Sequence, residues 1–186
     1  MEKHGGKMTI TDNKIWQPLP RAEVIKAIER QNPSRIPIAF GKWWGEGLDE
    51  QYGERLTEFD RYPDDIVQLF IEPLDFDSMG LSWEISSEGA HDAFCVLDDW
   101  AKLDEFIEKM PDPENDPQIE QLIKQAGVAR AEDRYILFGW WRLFFERPWA
   151  IRSMTTLLMD YYLYPNEIHK LNDALCTLYC GYLNVA

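Results

Sequence analysis

Arg21-Ala22-Glu23-Val24-Ile25-Lys26-Ala27-Ile28-Glu29-Arg30-Gln31-Asn32-Pro33-Ser34-Arg35-Ile36-Pro37-Ile38-Ala39-Phe40-Gly41 is the stretch on which the fold turns. Val24, Ile25 and Ile28 fall on one face of a short helix, and Asn32-Pro33 stops it. Arg35 to Phe40 then reads as a β-branched strand ended by Gly41. Pro37 counts against a central place for that strand, since proline is normally confined to an edge or to a strand's first residues. A helix handing over to a strand is the signature of an α/β chain, and the alternation recurs downstream.

Toward the N-terminus, residues 1–19 carry Gly5-Gly6 and Pro18-Leu19-Pro20 and no sustained period. They read as a flexible or loosely docked leader, with the domain running over 20–186. Toward the C-terminus, Gly41-Lys42-Trp43-Trp44-Gly45-Glu46-Gly47 is a glycine-punctuated loop whose two tryptophans should cover something. Pro63-Asp64-Asp65 reads as a helix start, with Ile66, Leu69 and Phe70 as its apolar face and Glu72-Pro73 as its end. Ser78–Ile85 and Ala93–Leu97 predict a hairpin turning through Ser86-Ser87-Glu88-Gly89. Leu103, Phe106, Ile107 and Met110 have helical spacing. Asp116-Pro117 caps a further helix with Ile119, Leu122, Ile123 and Ala126 on one face. Tyr135-Ile136-Leu137-Phe138, ended by Gly139, is another strand. Two helices follow. One runs from about Pro148 to Tyr162 with Met154, Leu157, Leu158 and Tyr161 facing inward. The other begins at Pro165 and buries Ile168, Leu171, Leu175, Leu178 and Tyr182.

Composition narrows the function classes. Lysine plus arginine number 19 against 33 Asp plus Glu, a formal charge of −14 that disfavours nucleic acid and anionic membrane surfaces as partners. No apolar run reaches the roughly 18 residues that span a bilayer, and the polar start lacks a signal-peptide core. Three unevenly spaced cysteines suit reduced thiols, hence a cytoplasmic setting.

The 21–38 stretch resembles the opening of the uroporphyrinogen decarboxylase superfamily, a helix with the sense "R-x-x-V-x-x-A-[LI]" followed by a Pro-x-Arg-[IV]-Pro strand entry. Phe145-Glu146-Arg147, then Met159-Asp160-Tyr161-Tyr162, then Tyr164-Pro165-Asn166-Glu167-Ile168 are similar to that family's paired helices, which carry "M-D-x-x-x-x-P-E". The resemblance covers about residues 20–184. It implies a (β/α)8 barrel, which takes eight strands and about 250 residues. This chain therefore corresponds to a partial barrel, its N-terminal portion, with an inserted β-hairpin. It also implies one of two chemistries, cofactor-free decarboxylation of porphyrinogen acetates or corrinoid-dependent methyl transfer at a zinc site.

Departures from the family pattern decide between branches. True decarboxylases grip substrate carboxylates with an arginine-rich "R-Q-A-G-R" loop, whereas the matching stretch here holds Lys42, Trp43 and Trp44. A polycarboxylate needs several fixed cations, so uroporphyrinogen is disfavoured as substrate. Glu84, beside Trp83, is the nearest counterpart of the family's catalytic aspartate and would act as an acid or base with a raised pKa. A solvated strand glutamate is the competing reading. Trp140, Trp141, Arg142 and Arg147 follow the Tyr135–Gly139 strand, where a barrel binds its substrate, and the arginines would meet an anionic group there. An aromatic cluster with stacked arginine is the alternative. His91-Asp92 is a weaker acid–base pair, since strand neighbours point to opposite faces.

Metal chemistry is not evident in this segment. The methyltransferase branch draws zinc from His-x-Cys and a later Cys, which only a C-terminal half beyond this chain would supply. Cys176 and Cys180 share a helix face, with His169 about two turns back, and read as thiols buried in helix packing. The expected function is that of a family member of the methyltransferase-like or uncharacterised branch, incomplete as a catalyst alone. The expected substrate is a small molecule or a corrinoid protein. The alternative is a truncated barrel serving as a ligand-binding or assembly module. Open sheet edges predict self-association or a complementing chain.

Overall fold

Ile66–Phe70 is a strand, β1, and not the helix that Pro63-Asp64-Asp65 predicts. The reason lies in Asp65, which is fully buried and does not cap a helix. Its Oδ1 accepts from the Leu19 amide at 2.7 Å, its Oδ2 from the Ile38 amide at 2.7 Å, and both oxygens take the Arg35 guanidinium. With the carboxylate committed elsewhere, the run Ile-Val-Gln-Leu-Phe follows its β-branched and aromatic preference instead.

The computed structural model describes residues 14–40, 47–81 and 95–186. In chain order the elements are α1 (Arg21–Ile28), α2 (Leu48–Tyr52), a 3-10 stretch over Gly53–Arg61, β1, α3 (Leu103–Glu108), α4 (Pro117–Ala131), β2 (Tyr135–Gly139), α5 (Glu146–Arg152), α6 (Met154–Leu163) and α7 (Pro165–Val185). β1 and β2 lie side by side and parallel. The architecture is mixed α/β, and among the described residues the sheet has two strands, which do not form a barrel. The predicted strand over Arg35–Phe40 joins no ladder among the described residues. Pro37 has no N–H to offer, and the Phe40 amide is taken by the Asp64 carboxylate at 2.7 Å. The predicted hairpin turn and residues 82–85 and 93–94 of its two strands lie outside the described residues; of the remainder, Ser78–Gly80 form a turn and 95–97 form no strand.

The chain divides into two compact units, 1–68 with 126–137 and 69–125 with 138–186. In the first, Asp65 is the hub. Residues 14–19 of the predicted leader are docked here. Leu19 is buried, and the Trp16 indole donates to the Pro63 carbonyl at 3.0 Å. Glu23 on α1 accepts from Lys26 and from the Ser34 amide, both at 2.6 Å, which folds the Asn32-Pro33 turn back onto its own helix.

In the second unit, α7 supplies the core as its spacing predicts. Ile168, Leu171, Leu175, Leu178 and Tyr182 are buried, and each leucine contributes about 2 kcal/mol by leaving water. The single helix expected over Pro148–Tyr162 is two helices, α5 and α6, separated by Ser153 at φ 64° and ψ 154°. The break turns α6 so that Leu157 is buried while Leu158 and Tyr161 are exposed. Arg152 closes the joint. Its Nε donates to Asp160 at 2.7 Å, its Nη1 to the Leu97 carbonyl, and its guanidinium carbon sits 4.4 Å from the Trp100 ring centre.

Candidate functional site

Past its last strand residue, β1 continues through Ile71, whose amide donates to the Gly139 carbonyl at 3.3 Å, into Glu72-Pro73-Leu74-Asp75-Phe76-Asp77. Past β2 come Trp140, Trp141 and Arg142, then the start of α5 with Arg147. These two exits frame a cavity of about 120 Å³ lined by Glu72, Asp75, Asp77, Arg142 and Arg147, with Leu74 and Phe76 as its apolar wall. It lies beyond the carboxyl ends of paired parallel strands, the place where α/β folds gather their binding residues.

Arg147 is the buried member, 1% exposed. Its guanidinium donates to the Leu74 carbonyl at 3.0 Å and to the Glu72 carboxylate, and it lies 5.7 Å from the Phe76 ring centre. Such a buried charge needs its pairing with Glu72, and removing Glu72 strands it, whereas Glu72 itself keeps access to water. The Arg147 Nε is buried with no hydrogen-bond partner among the described residues.

Glu72 is itself held from behind. The Gln118 side chain accepts the Glu72 amide at 3.0 Å and donates to the Glu72 carbonyl at 3.1 Å, a two-bond clamp on one residue. Asp116 in turn accepts from the Gln118 backbone amide at 2.8 Å and from the Tyr182 hydroxyl. Burial and this bond to Asp116 push the Tyr182 phenol far above its ordinary pKa, so it remains a donor. A series of contacts thus runs from α7 to the cavity.

The aromatic side of the site is Trp140, Tyr179 and Phe144. Trp140 lies 5.3 Å from the Tyr179 ring and Phe144 meets the same ring edge-on at 5.5 Å. The Tyr179 hydroxyl donates to the Arg142 carbonyl at 3.2 Å and fixes that residue in a left-handed conformation, φ 64°. Burial raises the Tyr179 pKa against the opposing pull of nearby Arg147. Trp141 is 71% exposed and stacks on Phe70 at 5.7 Å.

Of the residues singled out from sequence, Arg142 and Arg147 are brought together, and Trp140 supports them through Tyr179. Trp141 lies outside the cavity lining. Lys42, Trp43, Trp44, Glu84, His91 and Asp92 lie outside the described residues. Glu72, Gln118 and Tyr179 escaped the sequence reading. Glu72-Pro73 reads as a helix end, and the apolar, β-branched and aromatic content of Ile66-Val67-Gln68-Leu69-Phe70-Ile71 before it was the signal for a strand exit instead. Cys176 and Cys180 are exposed rather than buried, because α7 turns its leucine face inward and these positions away. Among the described residues no group of three or more His, Cys, Asp or Glu is placed to hold a metal ion.

A larger groove of about 530 Å³ separates the 110–114 loop from the end of α7. Its lining is mainly apolar (Ile107, Met110, Leu178, Val185), and Asp112 is already engaged with the Glu114 amide and Asn115. It brings no opposing charges together. The smaller cavity is the better candidate.

An α/β chain with an arginine–carboxylate cavity at its strand exits is the class that fold and site define. No protein-family model, curated protein or solved structure matches this chain. Among the described residues no helix is long and apolar enough to cross a membrane.

Proposed function

We propose that the chain forms the N-terminal staves of a uroporphyrinogen-decarboxylase-like barrel of the methyltransferase-like or uncharacterised branch, incomplete as a catalyst alone and working in the cytoplasm. The observation that carries this reading is the cavity framed by Glu72 and Arg147 at the carboxyl ends of two paired parallel strands. The quoted helix-to-strand and paired-helix motifs support it. Arg35 of the first motif pairs with Asp65, and Asp160 of the second pairs with Arg152.

The charge balance favours a ligand other than a polycarboxylate. Three carboxylates face two guanidiniums around the cavity, and Arg147 already answers Glu72. The volume matches about four water molecules at roughly 30 Å³ each, so it takes one polar group of a larger ligand. That group is an acceptor such as a carbonyl or amide oxygen, offered to the arginine side of the cavity. The propionamide-bearing rim of a corrinoid has this character. Zinc would enter only through ligands supplied by a C-terminal half.

Tryptophan fluorescence tests the proposal. Titration with cobalamin should give saturable quenching that Arg147→Met weakens about tenfold, the loss of one charge-assisted hydrogen bond. Trp141→Leu, at an exposed position, should keep the affinity and lower the amplitude. Incubation with uroporphyrinogen should yield no coproporphyrinogen, and a methylated corrinoid with a thiol should show no turnover by this chain alone. Decarboxylation, or an absence of saturable cobalamin binding, overturns the reading.

A second reading, an assembly module, draws on one observation. Phe70, Leu137 and Trp141 are exposed apolar side chains on or beside a parallel sheet, a kind of sheet that other proteins cover on both faces. A second copy or a complementing chain would bury them.

A further inference from the structure

We propose that Cys176 and Cys180 form a dithiol clamp for a soft, thiophilic centre such as trivalent arsenic, a site separate from the cavity at the strand exits and independent of the function proposed above. The two thiols lie four residues apart within α7, a helix of 21 residues, and both are exposed. Neighbours at this spacing have Cβ atoms about 5–6 Å apart. A disulfide requires about 3.5–4.5 Å. Direct oxidation therefore demands that α7 unwind, and buried Leu171, Leu175, Leu178 and Tyr182 hold its opposite face in the core. A single bridging atom with bonds to sulfur of about 2.3 Å spans the gap without moving the backbone.

The surroundings restrict what the clamp accepts. Cys180 lies within hydrogen-bonding reach of Cys176 and, with Asp173 nearby, keeps the Cys176 thiol above its ordinary pKa. His169 is seven residues before Cys176, about 10 Å along the helix axis, too far to join the same ion. Two sulfurs, with no third ligand placed beside them among the described residues, suit a soft centre that accepts dithiol coordination, and they do not suit zinc, which takes four ligands. Cys95 stands apart: it is half-buried, and its thiol donates to the Leu97 carbonyl at 2.8 Å.

With phenylarsine oxide as the probe, both S–H bonds break and two As–S bonds form. The arsenical oxygen leaves as water with the two protons, and arsenic stays trivalent. Adding it to the reduced chain should give one arsenical per chain by intact mass, with two thiols lost and one remaining titratable. Cys176→Ser and Cys180→Ser should each weaken binding about 100-fold, the loss of a chelate, while Cys95→Ser binds as the parent does. Serine at exposed helix positions leaves the fold in place, which the helical circular dichroism of each variant verifies. Unchanged affinity in either single variant, or an arsenical mapped to Cys95, overturns the proposal. A parallel treatment with diamide should leave Cys176 and Cys180 unlinked; a disulfide between them with the helical signal intact overturns the geometric argument.

Discussion

Asp65 shows what a single side chain decides. Burial raises its pKa, but Arg35 and the amides of Leu19 and Ile38 outweigh that and hold the carboxyl below its usual value of 3.8. Glu23 is drawn from 4.5 to about 2 by Lys26 and the Ser34 amide. Both are depressed carboxylates, so the stabilisation they lend is complete above their ordinary values and is lost as pH falls below them, for Glu23 on the way down to about 2. Urea titrations across that window should show the midpoint falling. Asp65→Asn should cost about 2–3 kcal/mol at neutral pH, below the full cost of a broken buried pair because Arg35 stays partly solvated. The same variant should flatten the acid limb. An unchanged midpoint would remove Asp65 from its place as hub. None of this was legible in Pro63-Asp64-Asp65, which has the same letters whether the aspartate caps a helix or anchors distant amides. The partners that settle it are 46, 30 and 27 residues away.

Element by element, length separates what the sequence disclosed from what it did not. α4 and α7, of 15 and 21 residues, repeat the 3.6-residue period often enough to fix an inward face, although Ile123, read on the same face of α4 as buried Ile119, Leu122 and Ala126, is exposed. β1 has five residues, and Ile66, Leu69 and Phe70 fit a helix face as well as a strand. The joint between α5 and α6 lay hidden for a different reason. Nothing in Arg152-Ser153-Met154 is a helix breaker. The break is imposed by Arg152, whose bonds to Leu97 and Asp160 tie three segments together. Ser153 therefore occupies a region that residues with a Cβ avoid, at a cost of about 1–3 kcal/mol. It recovers part of this by capping α6, its Oγ lying 3.4 Å from the Thr156 amide. Ser153→Gly should raise stability by about 1 kcal/mol, since glycine relieves the strain and is a fair cap. Ser153→Ala, keeping the strain and losing the cap, should lower it by about 1 kcal/mol. Thermal unfolding of the two variants checks both signs.

For the molecule as a whole, the charge of −14 sets the terms of any association. Copies that meet through exposed apolar groups such as Phe70, Trp141 and Tyr162 must overcome mutual repulsion, which salt screens within about 10 Å at 0.1 M. Sedimentation equilibrium should show self-association strengthening between 0.05 and about 0.5 M salt. Weakening instead would mean that ion pairs between copies hold the contact. The α/β class was readable from alternating elements. The cavity was half readable: arginines after a strand are conspicuous, whereas Glu72 and Gln118 meet only because the chain returns 46 residues later.

That return has an effect on the sheet itself. By presenting a carboxamide to residue 72, α4 mimics one rung of a neighbouring strand and retires the main-chain donor and acceptor just where β1 ends. An intruding peptide finds no vacancy there to extend the ladder, so the exit stays open to solvent and small solutes but closed to zippering by foreign backbone.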